Sequence, residues 1–174
     1  EIRQTVDFQG QHQFAAANDL FADPGWNLLA LNDDGTLLAV SFENGALRIY
    51  DLQTNREAIP IFEKSDYLYF EGGFNQQYFA FAARNGEQFL WQIIDTKEKS
   101  IIVEASPSCA AHVLTGRSGI YISNANVLVQ IDPIQMVQNE AAYTDSDISG
   151  FSTNGRYTAT ALKKGGIAFF NEWA

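Results

Sequence analysis

The residues that could perform nucleophilic chemistry are few in this sequence. Cys109 and His112 are the only pair that resembles a thiol and its base. We expect both in one strand at an odd separation, which sends their side chains to opposite faces of a sheet. The segment 116–119, GRSG, resembles a nucleophile elbow or a phosphate loop, but it lacks the full spacing, a lysine and a following helix. We therefore predict no catalytic residue and expect that the chain is not an enzyme.

Candidate metal ligands are equally sparse. One cysteine and two histidines cannot form the cluster that structural zinc requires. The residues Asp145, Ser146 and Asp147 alternate carboxylates as a calcium loop does, but the further oxygen ligands and the bidentate glutamate are missing. We predict a linker at this point, with no metal and no cofactor.

Aromatic side chains are the remaining candidates for a binding surface. Tyr67, Tyr69 and Phe74 lie close together in the sequence, around the pair Gly72 and Gly73. Core packing accounts for most such aromatics, but the two glycines interrupt the run as a bulge or bend would, which exposes whatever lies beside them. We therefore name Tyr67, Tyr69 and Phe74 as candidate binding residues.

The charge of the chain limits its partners. Eleven Lys and Arg stand against 21 Asp and Glu, which gives a net charge of −10. Such a surface repels phosphate backbones and anionic membranes, so neither nucleic acid nor a membrane is an expected partner. The longest apolar runs are far shorter than the roughly 20 residues that span a bilayer. The lone Cys109 favours a reducing compartment such as the cytoplasm, without fixing the localisation.

A repeated unit positions these residues. Its clearest copy runs from Asn32 to Leu52 and reads NDDGTLLAVSFENGALRIYDL. An Asp-Gly turn and an Asn-Gly turn separate two apolar runs, which predicts a hairpin because these dipeptides supply the positive φ angles of tight connections. The corresponding positions recur at steps of 41, 40 and 39 residues: Gly35 with Gln76, Gly116 and Gly155; Gly45 with Gly86, Asn126 and Gly165; Tyr50 with Trp91, Ile131 and Phe170; and Ala39 with Ala80, Ile120 and Ala159.

Four strands per repeat follow from this register. In the first repeat we predict strands at 26–31, 36–42, 46–52 and 57–62. The second and third strands are apolar on both alternations, so both faces of each sheet must be covered. Stacked blades cover both faces, and a period near forty residues is the propeller spacing.

The chain resembles the WD-repeat and related propeller families over about residues 26–174. The likeness rests on turns followed five residues later by an aromatic and a polar residue, as in Tyr50-Asp51 and Trp91-Gln92. No Gly-His pair opens a repeat and no Trp-Asp pair closes one, so the hydrogen-bond tetrad of that family is not carried over. The resemblance implies an all-β fold, a β-propeller fragment of about four four-stranded antiparallel blades, at residues 26–65, 66–106, 107–145 and 146–174. It also implies a scaffold whose loops bind a protein or peptide.

Closure of so few blades leaves three arrangements open. The chain begins with Glu1 and not methionine, which favours an arc cut from a seven- or eight-bladed ring, with residues 1–25 ending a preceding blade. Two copies could instead pair as a homodimer of propeller arcs. This pairing would cover two apolar faces, one around Leu37, Leu47 and Ile49 and the other around Ala159, Ala161 and Phe169. In the third arrangement residues 1–8 supply a closing strand.

Two functions compete on this basis, and a structural domain at the cell surface or in the periplasm is a third option. We expect an interaction module for a protein or peptide partner, within a larger bacterial multidomain protein. The alternative is a piece of a hydrolase or carbohydrate-binding propeller whose active residues lie on other blades. The scarcity of histidine argues against the alternative.

Overall fold

The computed structural model describes residues 2–3, 13–14, 28–107, 109, 111–116, 119–135, 137–153 and 157–171. These residues form antiparallel strands, turns and connections, and none of them builds a helix that could cross a lipid bilayer. The chain divides into two compact units, Glu1–Leu68 and Tyr69–Ala174.

The first unit contains a two-stranded and a four-stranded sheet. The short pair is β1 (Ile2–Arg3) with β2 (Gln13–Phe14). Sheet 1 has the order β3–β4–β5–β6, with β3 (Leu29–Leu31), β4 (Leu37–Ser41), β5 (Leu47–Asp51) and β6 (Arg56–Phe62). The four strands predicted for the first repeat are confirmed, although Trp26 lies outside the described residues. What was predicted for residues 1–25 stays a prediction, as do the repeat boundaries.

The second unit contains three sheets, each made of consecutive strands. Sheet 2 comprises β7 (Tyr69–Asn75), β8 (Tyr78–Asn85), β9 (Gln88–Asp95) and β10 (Ser100–Ala105). Sheet 3 comprises β11 (Ala111–Gly116), β12 (Gly119–Asn124), β13 (Val127–Asp132) and β14 (Val137–Tyr143). Sheet 4 comprises β15 (Ile148–Thr153), β16 (Tyr157–Leu162) and β17 (Ile167–Asn171).

Both faces of sheet 3 are covered, as the apolar residues on both alternations predict. One face joins sheet 2 in a cluster of buried residues: Tyr78, Ala80, Ala82, Ile93, Val113, Ile120 and Ile122. The other face meets sheet 4 in a second cluster: Tyr121, Leu128 and Ile148, with Phe151 and Leu162 beside them. Alternate residues of β12 thus belong to different clusters, since successive side chains of a strand point to opposite faces.

Four of the predicted turn glycines occupy the expected connections. Gly35 lies between β3 and β4, and Gly45, Gly86 and Gly165 lie between the second and third strands of their sheets, all with positive φ. At Gly45 a Cβ atom would lie 2.1 Å from the carbonyl oxygen of Ser65, so only glycine fits. Gly155 lies outside the described residues.

The third repeat departs slightly from the predicted register. Gly116 is the last residue of β11 and pairs with Gly119 across the connection. The left-handed residue of the next turn is Ala125, with φ of 52°, and not its neighbour Asn126. The one-residue difference arises because β12 and β13 are joined by two residues, whereas β4 and β5 are joined by more.

The predicted equivalence of Tyr50 and Trp91 is wrong. Tyr50 pairs with Leu38 and packs on the face of sheet 1 that carries Val40. Trp91 pairs with Ala82 and packs in the cluster that sheet 2 shares with sheet 3. By strand register, this face of sheet 2 corresponds to the face of sheet 1 that does not carry Tyr50. The loop of the second hairpin is shorter, with two residues between β8 and β9 against five between β4 and β5, and an odd change in loop length moves a strand's side chains to the other face.

Ile94 is therefore the counterpart of Tyr50, and each is followed by an aspartate that ends the third strand. Asp51, Asp95 and Asp132 each accept two backbone N–H hydrogen bonds at Oδ1 from the residues two and three positions later, at 2.8 to 3.2 Å. This Asx turn starts the connection to the fourth strand in three repeats. The recurring pair is thus a large apolar residue followed by aspartate.

The predicted apolar ends are confirmed on one side only. Phe169 is 75% exposed, and Ile167 beside it on β17 is also exposed. Leu47 and Ile49, in contrast, are fully buried, so the prediction of an open face around them is wrong. Both alternations of β5 are buried, because Leu47, Ile49 and Tyr50 all lie below a tenth of their full exposure.

Candidate functional site

A polar cavity of about 230 Å³ lies in the second unit, where the edge strands β7, β11 and β15 of three sheets come together with β8. We call it the Tyr69 pocket. Its lining consists of Tyr69, Glu71, Ala82, Ala83, Arg84, Ala111, His112 and Ser149. Three small alanines leave space, and five polar or aromatic side chains surround it.

Two glycines of β7 bring the strands close enough to form the pocket. A Cβ atom on Gly72 would lie 2.2 Å from the carbonyl oxygen of Ala80, and one on Gly73 would lie 2.5 Å from Thr115 Oγ1. No register shift interrupts the pairing of β7 with β8. The predicted bulge or bend at these glycines is therefore wrong, since they serve close approach of β8 and β11 instead.

Glu71 connects sheet 2 to the edge of sheet 3. Its Oε1 accepts a hydrogen bond from the Val113 backbone N–H at 3.0 Å and lies 2.9 Å from His112 Nδ1. The second bond requires Nδ1 to carry the proton, which leaves Nε2 as an acceptor in the neutral imidazole. Among the described residues nothing donates to Glu71 Oε2, so this oxygen remains available to a ligand.

Arg84 lies over the ring of Tyr69. The two residues face each other across β7 and β8, and the guanidinium carbon is 4.2 Å from the ring centroid. A cation at this distance is held by the ring quadrupole. Within the part of the chain that the structure describes, no carboxylate forms an ion pair with Arg84.

Ser149 contributes the remaining hydroxyl group of the pocket. Its Oγ donates to the carbonyl oxygen of Ala161 at 3.2 Å, so its lone pairs stay open to a donor. The pocket therefore combines a cation, a carboxylate with hydrogen bonds at one of its oxygens, an imidazole and a hydroxyl. This set can bind a small polar group by hydrogen bonds and charge.

The three predicted binding residues lie in different surroundings. Tyr69 lines the pocket. Tyr67 belongs to the first unit, where its ring lies 6.2 Å from that of Phe62. Phe74 is buried, with its ring 4.8 Å from that of Phe79. The assignment of a binding role to these residues stays a prediction.

Cys109 and His112 each have another partner. Cys109 lies in a bend ahead of β11, and not in a strand as predicted, and its Sγ donates to Asn124 Oδ1 at 2.6 Å. His112 pairs with Glu71. Sequence reasoning considered His112 only beside Cys109 and did not find Glu71 or Arg84. The sequence offered one signal for this site, because the hairpin predicted between residues 69 and 84 places Tyr69 and Arg84 on neighbouring strands.

The acidic segment 145–147 is a connection between β14 and β15. The Lys164 backbone N–H donates to Ser146 Oγ, and Lys163 Nζ lies 3.2 Å from Asp147 Oδ2. These contacts tie the connection to the turn between β16 and β17. Among the residues with described positions, no group of three His, Cys, Asp or Glu side chains could hold a metal ion.

Comparison with known proteins shows the fold. No protein-family model matches the chain, and no curated protein matches it. The computationally designed Ika4 protein is similar to it in structure, with a TM-score of 0.63 and 10% identity over 85% of this chain and 91% of that one.

Two natural proteins are also similar in structure. BamB from Moraxella catarrhalis, a β-propeller, has a TM-score of 0.61 and 11% identity over 83% of this chain. Hydrazine synthase from Kuenenia stuttgartiensis has a TM-score of 0.59 and 16% identity over 95% of this chain. The chain spans only 42% and 49% of these two proteins. The chain is thus all-β, and its four antiparallel sheets of three or four strands match the blades of a β-propeller.

Proposed function

We propose that the chain is a non-catalytic propeller scaffold, a divergent relative of the WD-repeat proteins, that binds a protein or peptide in the Tyr69 pocket. It would serve as one part of a larger multidomain protein. One observation carries this proposal. Polar groups that can still form hydrogen bonds with a ligand lie together in the pocket, where the edge strands β7, β11 and β15 come close to one another. Peptides supply both the donors and the acceptors that such groups need.

A binding role fits the pocket better than catalysis. Glu71 and His112 form an acid and base pair, but a nucleophile must lie in hydrogen-bond reach of the base. The Ser149 hydroxyl donates to a backbone carbonyl, and the Cys109 thiol donates to Asn124. Neither proton is directed at the imidazole.

The alternative, a carbohydrate-binding or hydrolase propeller, needs an open aromatic face or converging carboxylates. Tyr69 is the aromatic residue of the pocket, and the Arg84 guanidinium already covers one face of its ring. Among the described residues, Glu71 is the only carboxylate that lines the pocket. Both facts favour a peptide over a sugar.

Peptide display against the purified chain tests the proposal. Peptides enriched on the wild-type chain should bind at least tenfold more weakly to Tyr69→Ala, because the substitution removes both the ring and the support of Arg84. Tyr67→Ala is the matched control, since Tyr67 does not line the pocket, and it should bind as the wild type does.

Two outcomes would contradict the proposal. Enrichment of glycans on an array, without any peptide, would favour the carbohydrate-binding alternative. Turnover of generic ester, phosphate or glycoside substrates, lost on His112→Ala, would show that the pocket is catalytic.

A further inference from the structure

We infer that the group recognised in the Tyr69 pocket is a carboxylate that carries a hydrogen-bond donor close beside it. The inference rests on the proposed function and names the chemistry of the ligand. Arg84 would bind the carboxylate, and Glu71 Oε2 would accept from the neighbouring donor.

The position of Arg84 is the first argument. Its guanidinium carbon lies 4.2 Å from the centroid of the Tyr69 ring, and an arginine carries five N–H donors in a planar fork. This fork matches a carboxylate with two parallel hydrogen bonds. No described carboxylate occupies it, although the sequence holds almost twice as many acidic as basic residues.

Glu71 is the second argument, because its charge determines what else the ligand must carry. Oε1 already has two partners, whereas Oε2 has none among the residues described. A ligand with only negative charge would be repelled by this carboxylate at close range. A ligand that also brings an N–H group satisfies Oε2, so the favoured ligand presents a carboxylate and a donor together.

The volume of the pocket is the third argument. At about 230 Å³ it is smaller than the 300 Å³ or more of a typical drug-sized site. It holds the end of a chain or one side chain, not a long segment. A peptide C terminus, with its α-carboxylate and amide N–H, and the side chain of an internal acidic residue both have the required chemistry.

Titration of the ¹⁵N-labelled chain with three small probes tests this inference. The probes are N-acetyl-alanyl-alanine with a free carboxylate, the same compound as its carboxamide, and N-acetyl-aspartic acid amide. We expect the free acid to shift the backbone amides of Arg84 and Val113 in saturable fashion, and the carboxamide to bind at least tenfold more weakly. Binding of the aspartic acid amide at least tenfold more tightly than the free acid would identify a side chain as the source of the carboxylate, and binding at least tenfold more weakly would identify a C terminus.

Arginine variants distinguish a specific contact between Arg84 and the carboxylate from a nonspecific effect of the net charge of the protein. Arg84→Gln should weaken the free acid about tenfold, as expected for loss of a charge-assisted hydrogen bond, and Arg84→Lys should restore only part of the affinity because it lacks the planar fork. Arg56→Gln makes the same charge change at an exposed arginine of β6 that does not line the pocket, and it should have no effect.

The contrary results are distinct from failure of the proposed function. Equal binding of acid and carboxamide, equal competition by inorganic phosphate, or indifference to Arg84→Gln would each overturn the carboxylate inference while peptide binding still stood. If neither the probes nor any displayed peptide binds, the proposed function itself fails.

Discussion

Substitution of Gly72 by alanine tests the close approach of β7 and β8 that shapes the pocket. A Cβ atom at this position would lie 2.2 Å from the carbonyl oxygen of Ala80 and 2.7 Å from the Cα atom of Phe81. Both neighbours are backbone atoms, so neither can rotate away as a flexible side chain does. A Cβ atom can therefore be accommodated only if β7 and β8 move apart or if their backbones are strained.

The expected loss of stability is large. Inserting one carbon into a packed site costs about 1 to 3 kcal/mol, and the upper end applies because the two nearest atoms belong to the backbone of β8. The φ of 156° at Gly72 adds strain for any residue with a Cβ atom. We expect a decrease of about 3 kcal/mol in the free energy of unfolding, a large part of the 5 to 15 kcal/mol that a typical domain has.

Urea denaturation, followed by tryptophan fluorescence, measures the change. With a slope of about 2 kcal/mol per molar urea, the midpoint should fall by about 1.5 M. Gly150→Ala is the matched control, because a Cβ atom there meets nothing within 4 Å, and alanine in a strand gains about 0.5 kcal/mol over glycine. A Gly72→Ala midpoint within 0.2 M of the wild type would refute the close approach.

Two further predictions concern association and pH. We expect two copies of the chain to associate through the exposed face of β17, so that light scattering gives twice 19.3 kDa. Phe169→Asp should return the monomer mass, whereas the control Ile134→Asp, at another exposed residue, should leave the dimer intact. A wild-type monomer at micromolar concentration would contradict this prediction. Burial raises the pKa of Asp95, but hydrogen bonds from Gln77 and from the backbone amides that follow outweigh burial, so its pKa is lowered. A lowered pKa stabilises the fold above the unfolded value of about 3.9 and loses that effect as the pH falls further. The difference in unfolding free energy between wild type and Asp95→Asn should therefore be full at pH 6 and shrink towards pH 2, whereas a constant difference would contradict the assignment.

The strands and their turns could be predicted from the sequence because their signals are local. Asp34-Gly35 and Asn44-Gly45 sit between apolar runs, and each glycine has the positive φ that its turn requires. The apolar residues on both alternations also indicated covered faces on both sides, as sheet 3 has. These features depend only on residues that are close in the chain.

The facing of side chains in the second repeat was predicted wrongly, because it depends on loop length to a single residue. Superposing the repeats on their Asn-Gly turns matched Tyr50 to Trp91. The two hairpins differ in length, however, so the third strand of the second repeat is displaced along the second strand relative to the first repeat. The aspartates at the end of the third strand would have given the correct register. Asp51 and Asp95 make the same Asx turn, and this signal was available in the sequence.

The site was hidden for a different reason. Glu71 and His112 are 41 residues apart and belong to different sheets, so their contact depends on how sheets 2 and 3 pack. Gly72 and Gly73 were correctly noticed as unusual, but a close approach and a bulge have the same sequence signature. Only the position of Thr115 beside Gly73 distinguishes them.

The meander order of the sheets has a consequence for how the chain reaches its fold. Every described strand pairs only with strands next to it in sequence, so the loops that must close are short and their entropic cost is small. Hairpins of this kind form in about 1 to 10 μs, and low contact order is associated with fast folding. Sheet 2, for example, is complete once the chain from Tyr69 to Ala105 has left the ribosome, so assembly can proceed sheet by sheet during synthesis, with the Glu71 contact to Val113 forming only after the next sheet arrives.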